Sequence, residues 1–203
     1  MEFYLIRHGA TKGNLEKRYV GSTDEVLLPQ SVGMLEKYRT LQLDWISGIE
    51  AVYVSPLKRC RQTAAILFPD ISHEIVEEFR ECDFGAFEYC NYNELNGNPA
   101  YQRFIDSMGM SGFPGGEDRE SFESRCAKGL ECRFSQMLRF QKVALVVHGG
   151  TIMALLHRYC VPHRDYYDWQ VGNGEGWVAK VVQEGEALGE RMQSLQLHAI
   201  KKL

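Results

Sequence analysis

Four short clusters carry side chains able to do chemistry on an anion. They are Arg7-His8-Gly9 with Thr11 and Asn14 behind it, Ser55-Pro56-Leu57-Lys58-Arg59-Cys60-Arg61, Arg80-Glu81, and His148-Gly149-Gly150. Two imidazoles, two or three guanidiniums and a carboxylate suit a small, multiply charged anion, because Arg offers a planar fork of donors matched to phosphate oxygens. Phosphate is the natural candidate. The glycines let backbone N–H groups approach a ligand, and a helix starting just after Gly149-Gly150 would add unpaired amides and a positive dipole end. Cysteine chemistry is not indicated. The six cysteines, at positions 60, 82, 90, 126, 132 and 160, form no C-x-x-C pair, and none has Arg six positions later to close a thiolate-type phosphate loop. Ser55 and Lys58 fit a Ser-x-x-Lys pattern, but so short a match recurs by chance and no partner motif supports an acyl-enzyme.

To act together these clusters must meet at one edge of a fold. Strand-like runs occur at Phe3–Ile6, Ala51–Val54, Glu74–Glu78, Val143–Val147 and Gly176–Val182. Helical patterns cover about 31–43, 57–67, 121–140 and 151–159. In the longest of these, Phe122, Cys126, Leu130, Phe134 and Met137 or Leu138 recur at helical spacing and form a core stripe. Strands alternating with helices predict an α/β fold, a three-layer α/β/α arrangement with a mostly parallel central sheet, in which ligands bind beyond the carboxyl ends of the strands. Each chemical cluster follows one of the first four strands. The Asn-, Gly- and aromatic-rich segment from about 85 to 117 breaks the alternation and reads as a lid inserted into one domain spanning 1–203. A turn at Gly185–Gly189 followed by a loose alternation over Met192–Ile200 suggests a final hairpin. Arg61 lies roughly 200° around the helix from Arg59 and is expected on the surface. His73, His157, His163 and His198 match no motif and are expected in surface or packing positions.

The chain resembles the histidine phosphatase superfamily, or phosphoglycerate mutase-like family, along nearly its whole length to about residue 182. The matching motifs are Arg7-His8-Gly9-x-Thr11-x-x-Asn14, Gly21-x-Thr23-Asp24, Ser55-Pro56-Leu57-x-Arg59-Cys60-Arg61-Gln62-Thr63-Ala64, Glu81-x-x-x-Gly85-x-x-Glu88, Pro114-Gly115-Gly116-Glu117 and Val147-His148-Gly149-Gly150. The resemblance implies a phosphoglycerate mutase-like fold and a metal-independent reaction through phosphohistidine, with no cofactor. It makes His8 the nucleophile and Glu81 the general acid and base. Arg7, Arg59 and His148 complete the phosphate pocket, with Asn14, Gly21, Ser22 and Gly149 among its substrate-binding positions. The chain departs from the family pattern at Tyr89, where Gly usually follows the Glu, and at Leu28-Pro29 in place of the usual Leu-Thr.

Composition narrows the partners. With 23 Lys+Arg against 27 Asp+Glu, the net charge of −4 lacks the basic excess that collects a nucleic acid backbone. No apolar run approaches the 18 or more residues of a membrane span, and the amino terminus shows no secretory pattern, so a cytoplasmic protein with free thiols is expected. The expected partner is a small-molecule phosphate ester, and the protein a monomer or homodimer. From Glu88 to Glu117 there is one basic residue, Arg103, among Tyr89, Tyr92, Tyr101, Phe104 and Phe113. That balance favours hydrolysis of a phosphomonoester with a weakly charged leaving group, a sugar phosphate or α-ribazole phosphate, as in the α-ribazole phosphatases that small family members resemble. Mutase-type phosphoryl transfer and a non-catalytic phospholigand-binding role are the alternatives.

Overall fold

Alternate residues along the first strand serve different cores. Phe3 and Leu5 join one apolar cluster, Tyr4 and Ile6 the other, and Val143, Leu145 and Val147 alternate with Ala144 and Val146 in the same way. A strand buried on both faces must lie inside a covered sheet. A computed structural model, describing residues 1–41, 43–183 and 195–202, shows that sheet. Its strands are β1 (Glu2–Arg7), β2 (Ala51–Val54), β3 (His73–Ile75), β4 (Lys142–Val147), β5 (Gly176–Gln183) and β6 (Leu195–Lys202), in the order β3-β2-β4-β1-β5-β6. β1 to β4 are mutually parallel, while β5 runs antiparallel to β1 and β6 antiparallel to β5. The final hairpin is therefore present in its two strands. The turn expected at Gly185–Gly189 lies outside the described residues.

The helices are α1 (Lys12–Leu15), α2 (Pro29–Thr40), α3 (Lys58–Leu67), α4 (Tyr92–Leu95), α5 (Pro99–Asp106), α6 (Arg119–Met137) and α7 (Gly149–Tyr159). α6 and α7 cover one face of the sheet through Phe122, Cys126, Leu130, Phe134, Ile152 and Leu155. Leu35 of α2 and Cys60, Ala64 and Leu67 of α3 cover the other. Three layers result. All six cysteines are free.

The third strand is shorter than its apolar run suggested. It ends at Ile75, and a 3₁₀ turn over Glu77–Phe79 follows. Val76 and Phe79, three residues apart, are both fully buried, and the 3₁₀ repeat turns both toward the core, where a strand would separate them. Segment 85–117 holds α4 and α5 around a small cluster of Phe87, Leu95 and Phe104.

Candidate active site

β1 ends at Arg7, and the first turn beyond it is fixed by its neighbours in the sheet. His8 N–H donates to the Val147 carbonyl (3.0 Å), and the Gly9 amide donates to Thr63 Oγ1 of α3 (3.0 Å). The His8 side chain is buried, and its Nδ1–H donates to the Gly9 carbonyl (2.7 Å). A carbonyl can only accept, so the proton sits on Nδ1 and Nε2 keeps a free lone pair. Burial, with Arg59 and Arg7 close by, lowers the His8 pKa well below its ordinary 6.5. The ring is neutral at neutral pH, and Nε2 has the free electron pair that nucleophilic attack requires.

His148 caps α7 just past β4, its ring centroid 5.2 Å from that of His8. Arg59 Nε donates to its Nδ1 (3.3 Å), which leaves the proton on Nε2, 2.7 Å from Ser55 Oγ. Burial and then Arg59, His8 and Arg7 lower this pKa as well. Arg59 is wholly buried, and its remaining donors reach the carbonyls of Thr23 (2.7 Å), Gly21 (2.8 Å) and Val20 (3.2 Å). Arg7 Nη1 donates to the Val171 carbonyl (2.7 Å), but its buried Nε has no partner among the described residues. A buried cationic donor without a partner is costly, and an anion is the kind of group that would satisfy it.

Glu81 stands on the other side. Its carboxylate accepts from the amides of Cys82 (3.0 Å) and Gly150 (3.2 Å). A Cβ at Gly150 would strike Glu81 Oε1, so this approach needs glycine there. Burial raises the Glu81 pKa, opposed by the Cys82 amide, Arg59, the Gly150 amide and Arg7. The second amide of α7, that of Gly150, thus serves Glu81, whereas the sequence had suggested that the amides at this helix start stood free for the ligand. Behind Glu81, Arg125 donates to the carbonyls of Glu78, Arg80 and Glu81 and pairs with Glu117 at 2.6 Å.

A cavity of about 460 Å³ opens on Arg7, His8, Asn14, Glu81, Gly149 and Gly150. Among the described residues that line it, Arg59 and His148 are absent: they form a layer behind His8. Gly21 and Ser22 are absent too. The Gly21 amide is held by Glu88 (3.0 Å), and the Ser22 side chain is exposed. Arg61 is exposed, as its helical position required. His157 packs beside His163, with ring centroids 4.8 Å apart.

The wall is aromatic, built from Tyr19, Phe84, Phe104, Phe113, Phe122 and Tyr166. Its cations, Arg18 and Arg119, come from outside the lid, while Arg103 is exposed and does not line the cavity. Counting charge only within 88–117 overlooked them. Arg119 lies over the Tyr166 ring at 4.1 Å and donates to Glu123 (2.8 Å). Asn173 was also overlooked. Its Nδ2 donates to the His8 carbonyl and to Asn14 Oδ1, both at 3.1 Å. It precedes β5, and because β5 is antiparallel, that strand's amino end lies at the carboxyl edge of β1. A carboxyl-end rule misses it.

Comparison with known proteins places the chain in a family and agrees with its fold. The adenosylcobalamin/alpha-ribazole phosphatase of Escherichia coli K12 is 26% identical over 179 residues, 86% of this chain and 87% of that protein. The uncharacterized phosphatase PhoE of Bacillus subtilis 168 is 31% identical over 154 residues, 75% of this chain and 74% of that one. The crystal structure of an alpha-ribazole phosphatase from Shigella flexneri shares the fold, with a TM-score of 0.78 at 24% identity over 90% of this chain and 92% of that one. The family model of the histidine phosphatase superfamily (branch 1) matches residues 3–195, and the chain belongs to that superfamily.

Proposed function

We propose that this phosphatase hydrolyses a small phosphomonoester through a phosphohistidine on His8. The observation that carries the reading is the free Nε2 lone pair of a neutral, buried His8 beside the unpartnered Nε of Arg7. In the first step Nε2 bonds to phosphorus as the bond to the leaving oxygen breaks, and protonated Glu81 gives its proton to that oxygen. In the second, Glu81 takes a proton from water, the water oxygen bonds to phosphorus and the P–N bond breaks. The raised pKa of Glu81 suits both roles. Arg7, with Arg59 behind His8, supplies the charge that steadies the transferring phosphoryl oxygens, so no metal is needed. Asn14 Oδ1 is occupied by Thr11 and Asn173, which leaves its Nδ2 as a donor.

The aromatic wall supports a leaving group with a flat or apolar portion. An α-ribazole-type phosphate fits it and is favoured by the relatives' names; a sugar phosphate is the simpler member of the class. The two cavity arginines favour a second reading, phosphoglycerate mutase-type transfer to a substrate with its own anion. Turnover of p-nitrophenyl phosphate in EDTA by wild type and by His8→Ala tests the core of the proposal: loss only in the variant supports it, and loss of wild-type activity with EDTA refutes it. Measuring 3-phosphoglycerate isomerisation alongside separates the second reading. We place the enzyme in the cytoplasm as a monomer or homodimer, with a small-molecule phosphate ester as its partner and neither nucleic acid nor membrane. The free cysteines support the compartment, and no described helix is long and apolar enough to cross a membrane.

A further inference from the structure

Glu88 belongs to the lid, yet its carboxylate is spent on the loop over residues 20–23. Oε1 accepts from Gly21 N (3.0 Å), Thr23 N (2.9 Å) and Thr23 Oγ1 (2.6 Å), and Oε2 also takes Gly21 N at 3.2 Å. The same loop turns the carbonyls of Val20, Gly21 and Thr23 onto Arg59. The peptide unit joining Val20 to Gly21 is therefore held at both ends, its N–H by the carboxylate and its C=O by the guanidinium. An anion and a buried cation interact here through an aligned amide dipole. In a low-dielectric interior such aligned bonds strengthen one another. The loop has little room to shift, since a Cβ on Gly21 would strike the Cys82 carbonyl oxygen, one residue past Glu81. Beyond Arg59 the chain of contacts runs to His148 and Ser55.

We propose that Glu88 is a positioning residue for phosphate recognition: it fixes loop 20–23, and through the loop's carbonyls it sets the place and orientation of Arg59. The proposal rests on the phosphatase reading only in taking Arg59 as part of the phosphate pocket. Its consequence is that the lid, which shapes the leaving-group wall, also tunes affinity for the phosphate. Arg59 is held by four hydrogen bonds, three of them to a loop that, among the described residues, only Glu88 ties to the lid through a carboxylate. Without that tie the guanidinium keeps its charge but loses its fixed place behind His8, and with it the steady field it puts on the phosphate site and its hold on His148.

The test is the affinity of inorganic phosphate, by calorimetry and by competitive inhibition of p-nitrophenyl phosphate turnover. Glu88→Ala should weaken phosphate binding by about tenfold. Glu88→Gln should recover most of that, since one carbonyl oxygen can keep the three contacts of Oε1. In Arg59→Lys the further change Glu88→Ala should cost less than about threefold, because the guanidinium that the loop carbonyls held in place is gone. Thr23→Val, which removes only the hydroxyl contact, should weaken binding about threefold and guards against a poorly folded Glu88→Ala. Phosphate affinity within twofold of wild type in Glu88→Ala or Thr23→Val, despite a lowered melting temperature, would make Glu88 a structural staple only. Losses that multiply in the double variant would equally overturn the proposal. Calorimetry does not need turnover. A wild type that binds phosphate in a Glu88-dependent way but hydrolyses nothing would uphold the positioning role and remove the phosphatase mechanism.

Discussion

The floor and the wall of the cavity are built on different principles. The floor, from Arg7, His8, Glu81 and the start of α7, sits beyond the carboxyl ends of parallel strands, and each side chain is tied to backbone groups: Arg7 to Val171, His8 to Gly9, and Glu81 to Cys82 and Gly150. The wall is shared: Phe104 and Phe113 come from segment 85–117, whose buried cluster is Phe87, Leu95 and Phe104, while Tyr19, Phe84, Phe122 and Tyr166 come from outside it, and Met108 and Met110 at the segment's tip are 73% and 60% exposed. The floor gains accuracy from a sheet shared by the whole core, which is what nucleophilic chemistry demands. The wall gains shape from rings stacked edge to face, which can change without moving the floor. Accuracy and selectivity are thus separable, joined mainly where Glu88 and Glu117 reach from the lid to the loops beneath.

The sharpest way to break this division is at the nucleophile. His8→Ala should lower kcat by ~10⁴ or more on every substrate, whatever its leaving group. A loss that depends on the leaving group would move His8 from chemistry to selection. Glu81→Gln comes next. On alkyl phosphates, whose leaving oxygen needs a proton, kcat/KM should fall by roughly 10²–10⁴, and far less on p-nitrophenyl phosphate. Equal losses on both would take the acid role away from Glu81.

A third prediction uses pH. Both floor histidines have folded pKa values below 6.5, so as pH falls below 6.5 the unfolded chain binds protons that the folded chain refuses. Stability is then lost toward acid, by up to about 1.4 kcal/mol per pH unit for each histidine. Glu81 opposes this with the other sign. Its folded pKa is raised above 4.5, so its contribution is full below 4.5 and fades as pH rises through the folded value. Two protons outweigh one, and the net result between pH 7 and 5.5 is destabilisation on acidification. Segment 85–117 contains no histidine, so none of this effect comes from that segment. Denaturant unfolding at pH 7.5 and 5.5 checks it: His148→Asn should lose at least half the slope, since Glu81 still opposes the remaining histidine, and an unchanged slope would contradict the buried neutral state.

The same division explains what could be read from sequence. The floor was legible because strand ends announce themselves: solid apolar runs stop at Arg7-His8 and His148, and a fold rule then gathers them. Asn173 was not, because it enters on an antiparallel strand that the rule does not cover. Arg18 and Arg119 were missed because their place on the wall depends on how the lid folds back, a tertiary fact with no local signature. Gly21 and Ser22 followed the family motif into the expected site, but the structure gives their loop to Glu88 and Arg59. The third strand was drawn too long because period-2 alternation cannot distinguish a strand from a 3₁₀ turn that buries Val76 and Phe79 together.

The smallest expected effect tests the wall itself. Phe113 lines the cavity, with its ring centroid 4.6 Å from that of Phe104 and 4.9 Å from that of Phe84. Phe113→Leu keeps an apolar side chain of similar volume and removes the ring contacts, which are worth about 0.5–1.5 kcal/mol per aromatic pair. Part of that is felt by a bound aromatic leaving group, so the preference for 1-naphthyl phosphate over glycerol 3-phosphate should fall about threefold. The change should appear in KM, since nothing on the floor has moved. Were kcat to fall equally on both substrates, the rings would be shaping the geometry of His8 and Glu81, and floor and wall would have to be treated as one unit.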